Sequence, residues 1–212
     1  MTITNGYATL TQLKAVDRLG IGDTASGMAA DTKSDTTLEG VITAVSRAID
    51  LQCSRYFYKS TAAETRYFSA NEVYRVRVGD IVSVTTLYTD TMAGDRTYPY
   101  TWSSTDFDLS PYDSTLFSEP QPYNWIECSP QGQYVFPVRV AKGIKLTAVY
   151  GWSAVPAAIT EACLLWSERF FKRYKTPLGV SAMTALGEMS VKVPPPDPDV
   201  SMLLNNYRVI SI

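Results

Sequence analysis

Apolar residues recur at helical spacing in four segments of the chain, about 9–19, 35–54, 156–175 and 198–207. The 35–54 segment follows the i, i+3, i+4, i+7 rule most closely, as expected of a helix with one buried face. Each of the other three has a single apolar side as well. The pattern therefore predicts four helices, each of which needs a partner surface to cover its apolar face.

Polar and special residues mark where these helices begin and end. Thr9 with Gln12 has the spacing of a capping box, and Gly20 follows as a stop signal. Pro156 is placed to begin the third helix, because proline suits the first turn. Residues 23–34 are small and polar, so we expect a mobile loop or a weak turn of helix there.

The pattern changes between residues about 64 and 150, where β-branched and aromatic residues partly alternate with polar ones. Gly79-Asp80 predicts a turn between two adjacent runs. This segment is expected to form an antiparallel β module of five to seven short strands. The candidate strands are 66–68, 73–78, 81–88, 98–105, 125–128, 134–136 and 144–150.

The predicted fold class is α+β: a small antiparallel helical bundle with an inserted antiparallel β module. We expect three parts: a helical core from 1–60 with 150–180, a β module at 61–149, and an extended C-terminal arm with a short helix at 181–212. The first and last parts of the core should pack together, because each has only one apolar face to bury.

The amino-acid composition excludes several kinds of active site but does not by itself indicate a function. Charge is nearly balanced, with 19 basic and 21 acidic residues, so no strong field invites nucleic acid or a cationic partner. Histidine is absent, which removes Ser-His and Cys-His pairs, His-ligated zinc and the usual base near neutral pH. Cys53, Cys128 and Cys163 are too scattered for a disulfide framework. The first residues do not resemble a signal peptide, and no stretch is apolar enough to span a membrane.

Asp106 and Asp108 are the nearest approach to a paired-carboxylate acid/base site, but an aspartate- and serine-rich stretch is more typical of a solvated loop. We find no glycine-rich phosphate loop and no metal-ligand spacing. The sequence therefore predicts a non-enzymatic protein with no metal and no cofactor.

Two further features allow both a structural and a functional interpretation. The many tyrosines and tryptophans of the β module, Trp102 and Trp125 among them, suit sheet core, a protein interface or a sugar-stacking platform. A basic cluster at the end of the third helix suits either the helix dipole or a DNA channel. Its members are Arg169, Lys172, Arg173 and Lys175.

Taken in order, several short motifs resemble the head–tail connector (adaptor) proteins of tailed bacteriophages. The resemblance lies in roughly 1–60 and 145–210, and the central β module adds least to it. The motifs that resemble those of the family are Tyr7-Ala8-Thr9-Leu10, Asp35-Thr36-Thr37-Leu38, Arg47-Ala48-Ile49-Asp50, Arg55-Tyr56-Phe57-Tyr58, Tyr150-Gly151-Trp152 with Val155-Pro156, Arg169-Phe170, Pro177-Leu178-Gly179-Val180 and Asp197-Pro198-Asp199-Val200.

The resemblance implies a structural ring subunit in the virion neck, commonly present in twelve copies and assembled in the host cytoplasm. Its partners would be the portal protein above and a stopper or tail-terminator protein below, with DNA passing transiently through the lumen and no membrane involved. The portal-binding arm would use Val200, Leu203, Leu204, Tyr207, Val209 and Ile210. The alternative hypothesis is a virion protein whose β module binds a glycan or receptor.

Overall fold

The computed structural model describes residues 2–15, 17–21, 32–113, 121–174 and 198–209. Its helices are α1 (Leu10–Lys14), α2 (Asp35–Cys53), α3 (Ala157–Tyr174) and α4 (Pro198–Asn205). Its strands are β1 (Glu64–Phe68), β2 (Arg75–Thr89), β3 (Tyr100–Trp102), β4 (Phe107–Ser110), β5 (Tyr123–Cys128) and β6 (Ile144–Tyr150). Four helices and a six-stranded antiparallel sheet in the described part confirm the predicted α+β class.

The chain divides into two compact units. A helical unit combines Met1–Arg55 with Val155–Ile212, and a β unit comprises Tyr56–Ala154. In the helical unit, α2 packs against α3, and both contact α1 and α4. The buried stripe of α2 follows the predicted helical period and consists of Leu38, Ile42, Val45, Ile49 and Cys53.

The helix boundaries are close to the predicted ones except in α1. The Thr9–Gln12 capping box is present as predicted, but the helix ends at Lys14 rather than near residue 19. Ala15 has extended backbone, and its carbonyl accepts the N–H groups of Arg18 and Gly20 instead of continuing the helix. The loop predicted at 23–34 lies mostly outside the described residues.

The sheet has the order β1-β6-β2-β5-β4, and β3 pairs with β2 beside this path. One face carries the apolar core of the β unit, in which β6 alternates strictly between buried and half-buried positions. Fully buried side chains of this core cluster include Phe136, Ile81, Leu87, Ile126, Ile144 and Leu146. The alternation of apolar and polar residues in the sequence therefore corresponds to a sheet with one face covered by the core.

The turn predicted at Gly79-Asp80 was wrong, because β2 is a single strand of 15 residues. Gly79 has φ of +78°, and the pairing register shifts between Arg77 and Ile81. This is the geometry of a bulge, in which glycine allows a backbone conformation that other residues rarely adopt. The first part of β2 pairs with β5 and the second with β6, so the irregularity changes the partner without reversing the chain.

Two other stretches differ from the sequence prediction. Residues 134–136 do not form a strand; the N–H of Phe136 bonds the carbonyl of Val73 and holds an irregular segment against the sheet. Conversely, the stretch read as a solvated loop contains β4, whose register sets Asp108 opposite Glu127 of β5. Three of the four residues of β4 are half-buried, and Phe107 and Leu109 pack against the core, so the short strand shows no clear alternation in the sequence.

Candidate interaction surfaces

The short helix α4 is packed within the helical unit. Val200 and Leu204 are fully buried, and α4 contacts both α3 and α2. These two side chains belong to the set predicted to form a portal-binding arm. In this arrangement they are covered by the chain's own helices.

Hydrogen bonds and an ion pair also hold α4 and the residues after it within the helical unit. The N–H of Val209 donates to the carbonyl of Cys53 at 2.9 Å, and Arg55 reaches the carbonyl of Tyr207 at 3.4 Å. Arg169 on α3 lies 3.3 Å from the carboxylate of Asp199. The end of α4 is thus hydrogen-bonded to the end of α2 as well as packed against it.

The remaining predicted arm residues are only partly available. Leu203, Tyr207 and Val209 are half-buried, and Ile210 lies outside the described residues. Met202, which the sequence analysis did not single out, is the exposed apolar side chain of α4, with 69% of its surface accessible. A partner that binds α4 as it is packed here would therefore meet Met202 first.

The basic cluster lies on the last two turns of α3. Arg169, Lys172 and Arg173 have the i, i+3, i+4 spacing that places side chains on one face of a helix. Lys172 pairs with Glu168, and Arg169 pairs with Asp199. Lys175 lies outside the described residues. Acidic neighbours therefore offset part of the positive charge.

A buried polar network holds the N-terminal segment to α2. The hydroxyl of Tyr7 donates to Asp50, and its backbone N–H donates to Ser46 Oγ at 3.1 Å. Asp50 is 5% exposed, and its second carboxylate oxygen is 2.9 Å from Arg47 without hydrogen-bond geometry. Burial raises the pKa of Asp50, while the Tyr7 hydrogen bond and the Arg47 charge oppose that rise.

This shift predicts how stability depends on pH. A carboxyl whose pKa is raised in the folded state binds more protons there than in the unfolded chain, so its contribution is greatest at low pH. We expect the unfolding free energy to fall as pH rises from ~4, the ordinary carboxyl value, through the raised pKa of Asp50. Asp50→Asn keeps an acceptor for Tyr7 and should remove that decline.

Urea unfolding at a series of pH values measures the effect. Asp17→Asn, at an exposed position of the same unit, is the matched control and should retain the wild-type pH profile. An Asp50→Asn profile parallel to that of the wild type across this window would contradict the assignment.

The two tryptophans named in the sequence analysis are buried or half-buried, whereas five tyrosines of the β unit are exposed, namely Tyr56, Tyr67, Tyr74, Tyr100 and Tyr112. Trp102 is 5% exposed, and its ring stacks on Phe136 at 4.8 Å between centroids with Tyr134 beside it. Trp125 is half-buried, and the guanidinium of Arg75 lies 5.0 Å from its ring centroid. The two tryptophans thus support the core and a cation–π contact rather than an open sugar-stacking platform.

The Gly151-Trp152 motif has a local structural reason. Gly151 has φ of +100°, and a Cβ built on it would lie 1.8 Å from the carbonyl oxygen of Tyr58. Trp152 is buried against Phe57, with 5.4 Å between ring centroids, and its indole N–H lies 3.3 Å from Asp80. Glycine lets the two ends of the β unit approach, and the tryptophan fills the space beside them.

In the described part of the chain, three strands have a single pairing partner: β1 pairs with β6, β4 with β5 and β3 with β2. At the β1 edge, Lys59 and Arg66 are exposed, and the N–H of Lys142 bonds Ser69 just beyond the strand. Glu64 is the acidic member there and pairs with Arg66 at 2.8 Å. The two charged side chains of β1 therefore balance each other.

At the β4 edge, Asp108 and Asp113 are exposed and Glu127 stands opposite Asp108. Tyr112 donates to Glu127 at 2.6 Å, and its pKa is raised first by that bond and then by desolvation and the charges of Glu127 and Asp108. Arg75, on the neighbouring strand, forms its salt bridge with Glu72. This edge therefore has net negative charge.

The other candidate chemistry has structural roles. Asp106 is buried and accepts the backbone N–H of Ser103 at 2.8 Å, so it fixes a turn and is neither a solvated loop residue nor a paired acid/base group. Cys53 and Cys163 are buried, and burial raises the pKa of both thiols, that of Cys53 to about 11.

Within the described ranges, no group of three or more acidic or cysteine side chains is placed to hold a metal ion. In the same part of the chain, no helix is long and apolar enough to cross a membrane.

Along the chain, helical segments precede and follow an inserted β unit, and similar chains occur among solved structures. Neither the protein-family models nor the curated proteins contain a match to the chain. A chain in a structure described as the neck of an empty gene transfer agent particle computed with C6 symmetry has a TM-score of 0.57 and 16% identity. A chain in the virion of a native gene transfer agent particle has a TM-score of 0.50 and 17% identity. In both cases the match covers 100% of this chain and 94% of the other, which shows a shared fold.

Proposed function

We propose that this chain is a structural subunit of the neck of a tailed phage or phage-like particle, where copies form a ring between the portal and the next neck or tail component. The observation that carries the proposal is the full-length fold match to a chain in a gene transfer agent neck. The ordered motifs that resemble phage adaptor proteins support it independently. The role is structural rather than catalytic, since the buried carboxylates and thiols described above serve the fold.

Imaging of the purified full-length chain mixed with the portal of the same particle tests this function. The expected result is an annular density attached coaxially to one end of the portal, absent from the portal alone. A chain that neither associates with the portal nor with itself at any salt concentration would contradict the proposal.

Within this function, α4 is the proposed portal-binding segment, but its packing changes how that role is tested. Val200 and Leu204 cover the apolar sides of α2 and α3, so deletion of the whole C-terminal segment would also disturb the helical unit. Docking through α4 can occur in two ways. Either the portal binds the exposed side of the packed helix around Met202, or α4 dissociates from α2 and α3 and binds the portal instead. Substitutions at single positions separate these two routes, as developed in the Discussion.

The basic face of α3 is proposed to line the DNA lumen. Its charges are partly offset by Glu168 and Asp199, which suits a surface that lets DNA pass without holding it. We expect Lys172→Gln with Arg173→Gln to lower the salt dependence of weak DNA binding, reducing the slope of log affinity against log salt by about 1 to 2.

Binding of duplex DNA to the assembled ring at several salt concentrations gives that slope. Arg77→Gln, an exposed change in the β unit, is the control for total charge. An unchanged slope in the double variant would show that the basic face of α3 does not line the lumen.

A further inference from the structure

The sheet of the β unit has a second face, opposite its apolar core, on which side chains form cross-strand rows. The first row runs from Tyr67 of β1 through Lys145 of β6 to Tyr88 of β2 and Thr101 of β3. Lys145 lies between two buried positions of β6, so this row is on the face that the core does not occupy. Across four strands the row spans about 14 Å.

Tyrosine rings surround the amine of Lys145. Its Nζ lies 5.7 Å from the ring centroid of Tyr88 and 5.9 Å from that of Tyr98, which belongs to the loop between β2 and β3. The ring of Tyr98 is in turn 5.8 Å from the ring of Tyr67. The three tyrosines therefore hold a positive charge at a defined place on this face.

The same face supplies hydroxyl groups but no negative charge. Thr65, Thr147 and Thr86 form a second row beside the first, and the hydroxyl oxygens of Thr65 and Thr147 are 2.8 Å apart. Neither row contains an acidic residue. Within the described ranges, Lys145 has its two ring contacts and no ion pair, so its charge is left for a partner.

We propose that this tyrosine–threonine face binds an acidic segment of another protein of the particle, with a carboxylate of that segment on Lys145. The inference rests on the proposed neck function, to which it adds a partner of stated chemistry. A carboxylate accepts from both an ammonium group and hydroxyl groups, and the bond to the ammonium group is charge-assisted. Tyrosine is enriched in protein interfaces, and Tyr67 is 48% exposed. About four residues of extended chain would cross the row.

The ring geometry favours a protein segment over a sugar. A sugar stacks on a ring face that is flat and open, whereas the rings of Tyr67 and Tyr98 are tilted by 42° to each other. The Lys145 amine lies over the rings of Tyr88 and Tyr98 and occupies one face of each. A single lysine is also a poor match for nucleic acid, which is bound through several phosphates at once.

The carboxylates of this chain favour a different protein as the partner. Most of those in the described ranges are engaged within their own chain. Asp90 and Asp106 accept backbone N–H groups, at 2.7 Å from Arg96 and 2.8 Å from Ser103. Ion pairs engage Asp35, Glu64, Glu72, Glu161, Glu168 and Asp199. In that part of the chain, few carboxylates are left for Lys145 of another copy.

Carbodiimide treatment of purified particles of the agent that encodes this chain tests the contact, because the reagent joins an amine to a carboxylate where the two touch. Each coupling forms an amide bond between Nζ and the carboxyl carbon, and the carbodiimide takes up the lost water as a urea. We expect peptide mapping by mass spectrometry to find Lys145 coupled to an aspartate or glutamate of a different protein. Lys172 and Glu168, an ion pair within α3, are the internal positive control.

The other outcomes separate this contact from the function on which it rests. Lys145 left uncoupled while Lys172 reacts overturns the acidic contact. Coupling of Lys145 to a saccharide or to a second copy of this chain overturns it as well. In each of these cases the neck function stands, because the chain is present in the particle. If the particles do not contain the chain, the proposed function itself fails.

Substitutions on the face test the same contact by affinity. Full-length Lys145→Glu and Tyr67→Ala should bind the protein identified by coupling about tenfold more weakly than the wild type, because one introduces repulsion and the other removes an exposed ring. Lys59→Glu reverses an exposed charge outside both rows and should bind normally. Thermal unfolding checks that each variant is folded, and Lys145→Gln replaces Lys145→Glu if that variant unfolds early. Wild-type affinity in the folded face variants would overturn the proposal.

Discussion

Replacement of Gly151 by alanine is expected to destabilise the β unit by about 3 kcal/mol or more, at the upper end of the usual range for a point substitution. Two effects cause this loss of stability. A φ of +100° is costly for any residue with a Cβ, and that Cβ would lie 1.8 Å from the carbonyl oxygen of Tyr58. Backbone atoms cannot move aside as the end of a flexible side chain can, so the strands must separate.

Thermal unfolding followed by tryptophan fluorescence measures this loss. Gly40→Ala is the matched control, because a Cβ at this position of α2 meets nothing within 4 Å. Alanine favours helix over glycine by about 1 kcal/mol, so the control should be stabilised slightly. Equal transition temperatures for Gly151→Ala and the wild type would show that the approach of Tyr58 to Gly151 is not required.

The second large effect is expected at α4. Leu204 is fully buried between α4 and the helices it packs on, so Leu204→Ala should cost about 2–5 kcal/mol through lost contacts and an internal cavity. Urea unfolding followed by circular dichroism at a helical wavelength gives the loss. Met202→Ala, on the exposed side of the same helix, should leave stability within about 0.5 kcal/mol of the wild type.

The same pair of variants separates the two routes to the portal. If the packed helix binds the portal, Met202→Ala weakens docking and Leu204→Ala weakens it only through instability. If α4 leaves its own unit to bind, Leu204→Ala removes a contact from the packed and the docked state alike, so stability falls while docking changes little. Portal binding that is unaffected by Met202→Ala would exclude docking through the packed helix.

Helices were predicted well where an apolar stripe and a boundary residue agreed. In α2, the stripe from Leu38 to Cys53 fixed both the length of the helix and its buried face, and the structure confirms both. In α1, the apolar spacing continued beyond the true end, because extended backbone at Ala15 depends on hydrogen bonds that local spacing does not report.

The sequence predicted an antiparallel sheet in this segment but did not predict all of its strands and turns correctly. Gly79 signals a positive φ, and a turn and a bulge both use that conformation, so the choice between them depends on the strands that pair on either side. β4 was missed because it has only four residues, three of them half-buried, which gives no alternating pattern. The strand pairings at the edges of the sheet therefore required the fold.

The candidate site residues show the same limit. Val200 and Leu204 were recognised as one apolar side of a short helix, which is correct, but the pattern does not say whose surface covers it. Arg169, Lys172 and Arg173 were recognised as a basic face. Glu168 pairs with Lys172 from one turn earlier in the same helix, whereas Asp199 reaches Arg169 from α4. Periodicity identifies a surface, and tertiary contacts decide its partner.

The close approach of Tyr58 to Gly151 at the two ends of the β unit is accompanied by hydrogen bonds next to it. The N–H of Ser60 bonds the carbonyl of Tyr150 at 2.8 Å, and the N–H of Tyr150 returns to the Ser60 hydroxyl at 3.0 Å. The chain thus leaves this unit almost where it entered it. Insertions with adjoining ends can be shortened, enlarged or exchanged at little cost to the host scaffold. Such modularity gives related lineages a way to remodel one part of the protein while inheriting the other intact.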